Sequence, residues 1–167
     1  MHVIYKVQKG VGMMEVLVSM LILSIAILGF VALQVRATAA TDEALNRSDA
    51  LIILNGLAEK IRLNSAGNYK AIIPTTPPAC VATKNCDRDN QALADLFDQN
   101  SVADAKGIRL GVTDCVGTSS EQARLCLIAA WDSTAVTIAA TTIDNRCLNS
   151  DDGKYAPDSH CLVLEAY

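Results

Sequence analysis

"QKGVGMMEVLVSMLILSIAILGFVALQV", Gln8 to Val35, decides how the rest of the chain is read. From Val16 to Leu33 it contains eighteen residues without a charge and without a proline. As a helix rising about 1.5 Å per residue, that run spans ~27 Å, close to the ~30 Å hydrocarbon thickness of a bilayer. Arg36 ends it, and a single acid, Glu15, stands at its start, with Lys9-Gly10 just ahead. A carboxylate at the lip of an apolar helix costs roughly 2.5–3.5 kcal/mol at bilayer depth, which makes it a functional suspect. The bland alternative is a side chain at headgroup level near the positive end of its own helix.

Beyond Arg36 the helix is predicted to continue. Residues Ala37 to Asn64 lack proline and are rich in Ala, Leu and Glu, all good helix formers. Ala50, Ile53, Leu54, Leu57 and Ile61 recur at helical spacing and form one apolar stripe. Glu43 and Arg47 make an i,i+4 pair in the favourable orientation. Gly56 weakens the pattern, and Gly67 and Pro74 close it. A helix from about Val11 to Asn64 would be ~80 Å long, apolar all round in its first half and one-sided in its second. Such a helix spans a membrane and then packs on a globular body.

The proline-rich stretch Ala71 to Asn90 reads as a loop, long enough to need a tether. Gln91 to Asn100 reads as a short helix. Four apolar runs follow as expected strands: Ile108–Cys115, Ala123–Trp131, Ala135–Ile143 and His160–Tyr167. Their short connections favour an antiparallel sheet, with the Ala50–Ile61 stripe as its cover. The expected fold class is α+β: a long N-terminal helix packed on a C-terminal antiparallel sheet.

All six cysteines lie beyond the apolar run, at Cys80, Cys86, Cys115, Cys126, Cys147 and Cys161. An even number on one side of a membrane segment points to disulfides in an oxidising compartment. There is no C-x-x-C and no nearby His pair, which argues against zinc. Six cysteines allow about 15 pairings; local pairing, 80–86, 115–126 and 147–161, is favoured because each pair brackets a plausible loop or hairpin.

Composition narrows the function classes. The chain carries a formal charge of −4, and −6 if cut after Gly10 with the loss of Lys6 and Lys9. An acidic body argues against direct nucleic-acid binding. The 51% hydrophobic content and mean hydropathy of +0.26 come mostly from the first third. No G-x-S-x-G, phosphate-binding loop or H-E-x-x-H is present. His160 beside Cys161 would be a Cys/His pair only if that sulfur were free, so no enzyme activity, metal or cofactor is expected. "DRDN" (Asp87–Asn90) and "NSDDG" (Asn149–Gly153) are rich in oxygen but fit no EF-hand loop; turns and caps are the ordinary use of such runs. Trp131 on an apolar strand reads as core.

"KGVGMMEVLVSMLILSIAILGFVALQ" resembles the processing signal of type IV prepilins and pseudopilins: a short basic leader ending in Gly, then an apolar helix with Glu at the fifth mature position. Cutting after Gly10 makes Val11 the first mature residue and Glu15 the fifth; cutting after Gly12 would make Glu15 the third. The phrasing "EVLVSMLILSIAILGFVALQ" is similar to the PilV family of minor pilins. Two positions depart from the pattern: Val11 stands where Phe or Met is usual, and Ala32 stands where major pilins have a kinking proline. The latter suits a minor component.

The resemblance implies residues 1–10 as leader, 11–36 as membrane and filament-core helix, 37–66 as the amphipathic half and 67–167 as a disulfide-linked head. It implies cleavage between Gly10 and Val11 by a prepilin peptidase, N-methylation of Val11, and docking through Glu15 against a neighbour's Val11 amine. The implied partners are other minor pilins, the major pilin and the inner membrane of a Gram-negative bacterium. The implied roles are pilus assembly, twitching motility, adhesion and DNA uptake. Competing readings are a pseudopilin of a type II secretion system, a pilus-carried adhesin, a secreted protein cut after Ala39 in "ATAA", and an uncut membrane-anchored domain.

Overall fold

The computed structural model describes residue 10 and residues 12–118, 124–137, 145–150 and 152–166. Its elements are helices α1 (Met13–Leu63), α2 (Ala79–Thr83) and α3 (Arg88–Asp104), and strands β1 (Arg109–Asp114), β2 (Leu125–Ala130) and β3 (Cys161–Ala166). They fall into two compact units, the first ending at Glu43 and the second running from Ala44 to Tyr167.

The first unit is the apolar part of α1. The helix begins where the Gly12 carbonyl accepts from the Glu15 N–H at 2.9 Å. The hydroxyls of Ser19 and Ser24 donate to the Val16 and Met20 carbonyls, each at 2.8 Å. Side-chain donors within the apolar run are thus satisfied by the helix's own backbone, as a lipid environment demands.

The second unit takes Ala50, Ile53, Leu54, Leu57 and Ile61, the five residues of the predicted stripe, into its core together with Ala58. They pack with Tyr69, Ala92 and Leu96 and with Leu110, Leu127, Ala129 and Trp131 of the sheet region. Trp131 is 3% exposed and belongs to the core. The sheet is antiparallel in the order β1-β2-β3, with Val112 opposite Leu127 and Leu127 opposite Leu164.

β2, "LCLIAA", is apolar throughout because both of its faces are covered. Leu127 and Ala129 face the helices, while Ile128 and Ala130 pack with Cys147, Leu148 and Cys161 on the opposite side. The sequence reading expected one covered face. The second cover comes from the long β2–β3 connection.

Several boundaries move. α3 begins before the predicted Gln91 because Asp87 caps it, its Oδ1 accepting from the Asn90 N–H at 2.8 Å, and it runs past Asn100 to Asp104. The Ala71–Asn90 stretch contains α2 and the start of α3. In the run Ala135–Ile143, Ala135 makes only an isolated bridge with Arg146, and 138–143 lie outside the described residues.

Three disulfides staple this unit. Cys80–Cys86 closes the loop around α2, Cys115–Cys126 ties the ends of the β1–β2 hairpin, and Cys147–Cys161 fastens the β2–β3 connection to β3. The connection is held at its start by Arg109, whose guanidinium donates to the Asp132 and Thr134 carbonyls. At its end the His160 N–H donates to the buried Thr134 hydroxyl at 2.8 Å. At Gly111 on β1 this connection comes close: a Cβ there would lie 2.9 Å from the Val136 Cβ.

Candidate functional site

The apolar helix presents its side chains outward. An 18-residue window of α1 has a mean hydropathy of 2.9, and none of it is buried. Leu21, Leu28 and Phe30 are each 60% exposed or more. The helix is long and apolar enough to cross a membrane, and its surface far exceeds the few hundred Å² of contiguous apolar area that a soluble monomer tolerates. Lipid or other helices must cover it.

Glu15 is exposed in the first turn of α1, where unpaired backbone N–H groups and the helix dipole favour a negative charge. Its carboxylate has no hydrogen bond or ion pair among the described residues. Gly10 is exposed. Val11, and with it the Gly10–Val11 junction and the methylation position, lies outside the described residues, as do residues 1–9 of the leader.

The second unit holds a polar cluster that sequence reasoning missed. Tyr69 is 1% exposed, and its hydroxyl donates to Asp95 Oδ2 at 2.7 Å while lying 3.1 Å from the Lys60 carbonyl. Asp95 is itself 8% exposed. Its other oxygen accepts from Gln91 Nε2 at 3.0 Å and lies 3.9 Å from Lys60 Nζ. Lys60 also pairs with Asp98. Burial first, and then the neighbouring carboxylate, raise the Tyr69 phenol well above its ordinary value.

The cluster joins the end of α1 to α3, and two further bonds run beside it. Asn64 Nδ2 donates to the Arg88 carbonyl at 2.7 Å, and the Asn68 N–H donates to Asp89 Oδ1 at 3.1 Å. Gly67 permits this approach, since a Cβ there would meet the Arg88 carbonyl at 2.9 Å. No local signal marks Tyr69 and Asp95 as partners. They are separated by 26 residues, and only the packing of α3 on α1 brings them together.

In the remaining polar runs the described acids have partners within the chain, and Asp151 lies outside the described residues. Asp87 and Asp89 are engaged as described. Asp152 accepts from the Lys154 N–H at 3.1 Å, a hydrogen bond that, with the Lys154 ammonium, holds its carboxyl below the usual range. Cys115, Cys126 and Glu165 lie together, but the two sulfurs are joined in a disulfide and offer no thiolate. Cys161, next to His160, is likewise bonded to Cys147.

Among known families, the Tt1218-like family, described as type IV pilin Tt1218, matches residues 32–98, less than half of the chain. The matched segment runs from within α1 through most of α3. No curated protein and no solved structure matches the chain. The family match supports a pilin role, and the long exposed apolar helix fits membrane anchoring and assembly with other pilins in a pilus.

Proposed function

We propose that the chain is a minor type IV pilin of the PilV kind, a structural protein that joins other minor pilins in a complex priming or capping the filament. The observation that carries this reading is the wholly unburied apolar helix with one acid in its first turn. The type IV pilin match, which begins within that helix, supports it.

In this reading prepilin peptidase cuts between Gly10 and Val11 and the new Val11 amine is methylated. The chain waits in the inner membrane through Val16–Leu33, then docks into a helical bundle. Glu15 meets a neighbour's Val11 ammonium there. In a dry bundle two unpaired charges are each costly, whereas the pair is favourable at one axial register only. Twitching motility, adhesion and DNA uptake follow as activities of the assembled filament. The same signal serves a pseudopilin of a type II secretion system, and deletion of each system in turn distinguishes the two.

The test is the mature N-terminus, read by mass spectrometry from membranes and sheared filaments. A chain beginning at N-methylated Val11 is the expected result. A start at Ala40 makes the protein secreted, a start at Met1 makes it a plain membrane anchor, and either overturns the proposal.

A further inference from the structure

The second unit contains a cleft of about 620 Å³ between the end of α1, the first turns of α3 and the disulfide-closed loop around α2. Its size is that of a small-molecule site, roughly 300–1,000 Å³. The filament reading makes no use of it.

Its walls have distinct characters. Lys60, Asp95 and Asp98 line one side, already paired with one another, and Asp95 is further held by Tyr69 and Gln91. Lys84 and Asn85 line the loop side. The Lys84 ammonium has no partner among the described residues. Pro77, Val81 and the half-buried Phe97 ring supply apolar surface between them.

This lining selects among ligands. A metal cation would meet the Lys60 ammonium, which lies against both acids. A polyanion would need several free cations, and only Lys84 remains. What is left is one ammonium, the amides of Asn85 and Gln91, and the outer lone pairs of two aspartates beside an apolar strip. Amides and carboxylates that can bond hydroxyls, set beside an apolar strip, suit a hydroxyl-rich ring with one apolar side.

The loop wall is also preorganised. Cys80–Cys86 closes it, the Asn85 N–H donates to the Cys80 carbonyl at 3.3 Å, and Thr83 Oγ1 donates to the same carbonyl at 3.0 Å. Lys84 is left-handed at φ 54° because it caps the C-terminus of α2, its N–H donating to the Val81 carbonyl at 3.3 Å. A wall fixed before binding lowers the ordering cost of a ligand.

We propose that this cleft is a saccharide-binding site, accepting a single pyranose unit with at most one acid group, which meets Lys84. The site belongs to the chain itself and does not depend on filament incorporation, so the mature N-terminus and sugar binding are independent readouts.

The experiment uses the full chain in phospholipid nanodiscs, which contain no sugar headgroups. Saturation-transfer NMR is recorded with methyl galactoside, N-acetylglucosamine, galacturonic acid and glucosamine at millimolar concentration. Transfer to at least one of the first three is expected, weakened tenfold or more by Asn85→Ala and Asp98→Asn, with galacturonic acid the most sensitive to Lys84→Ala. All three positions are exposed, so the fold survives these changes, and unchanged Trp131 fluorescence verifies it. Lys154→Ala, outside the cleft, leaves binding intact. No transfer to any probe, binding of the cationic glucosamine alone, or affinities unmoved by the cleft variants overturns the proposal.

Discussion

Replacing Tyr69 with Phe removes one oxygen from the interior and leaves Asp95 Oδ2 without its 2.7 Å donor. The ring keeps its packing with Leu54, Leu57 and Leu96 in the same core, so the cost isolates the hydrogen bond. A bond to a charged acceptor contributes about 1.5–3 kcal/mol, and the buried acceptor left behind keeps its desolvation penalty. With a urea slope of about 1–3 kcal/mol/M, the midpoint should fall by roughly 1 M. Trp131, the single tryptophan and buried in that core, reports the transition by fluorescence.

The pH dependence identifies the cause. The folded phenol has a raised pKa, so between pH ~10 and the folded value the native state binds a proton that the unfolded state has released. Stability is therefore complete below pH ~10 and declines by about 1.4 kcal/mol per pH unit above it. The Phe variant lacks this loss, and lysine titration is common to both proteins. The gap between wild type and variant should narrow as pH rises above 10. A variant within 0.5 kcal/mol of wild type at pH 7, or a gap constant through pH 11, would refute the reasoning.

Other perturbations test other parts of the molecule. Leu54→Ala, at a fully buried position of α1, should cost about 2–5 kcal/mol in the same urea assay. Asp87→Ala removes the α3 cap and should cost about 1 kcal/mol, while Asp87→Asn should recover most of it. Gly111→Val, driven into Val136, should cost about 1–3 kcal/mol, and a neutral result would show that the β2–β3 connection does not press on β1. Converting Cys147 and Cys161 to serine opens a 14-residue loop and should lower stability by about 3 kcal/mol. Glu15→Ala should leave the second unit's unfolding unchanged and abolish recovery of the protein in sheared filaments; normal incorporation would remove the docking role from Glu15.

Where each reading came from is a matter of distance along the chain. Helix periodicity is local. The stripe Ala50–Ile61 repeats every three or four residues, so the buried face of α1 was legible without any knowledge of what covers it. The uncharged run and its lone acid were equally plain, because hydrophobicity and length decide what a helix can be immersed in.

The Tyr69–Asp95 bond, the second covered face of β2 and the cleft beside the Cys80–Cys86 loop had no such mark. Each depends on groups that meet only after α3 packs on α1 and the β2–β3 connection folds across the sheet. Cysteine number and placement suggested disulfides and favoured the local pairing 80–86, 115–126 and 147–161 without fixing it. The tertiary structure selects among the pairings because a disulfide forms only where two Cα atoms come within about 4.4–6.8 Å of each other. The start of α3 follows the same division: its apolar interior was legible, but its true start at Arg88 depends on the Asp87 carboxylate turning back onto the Asn90 N–H. By itself the sequence determined the membrane-length helix, its buried stripe and the use of its cysteines in disulfides, since these rest on composition and short-range spacing. Only the tertiary structure decided the Tyr69–Asp95 bond, the second cover of β2 and where a cleft remains, since these are contacts between residues far apart in the chain.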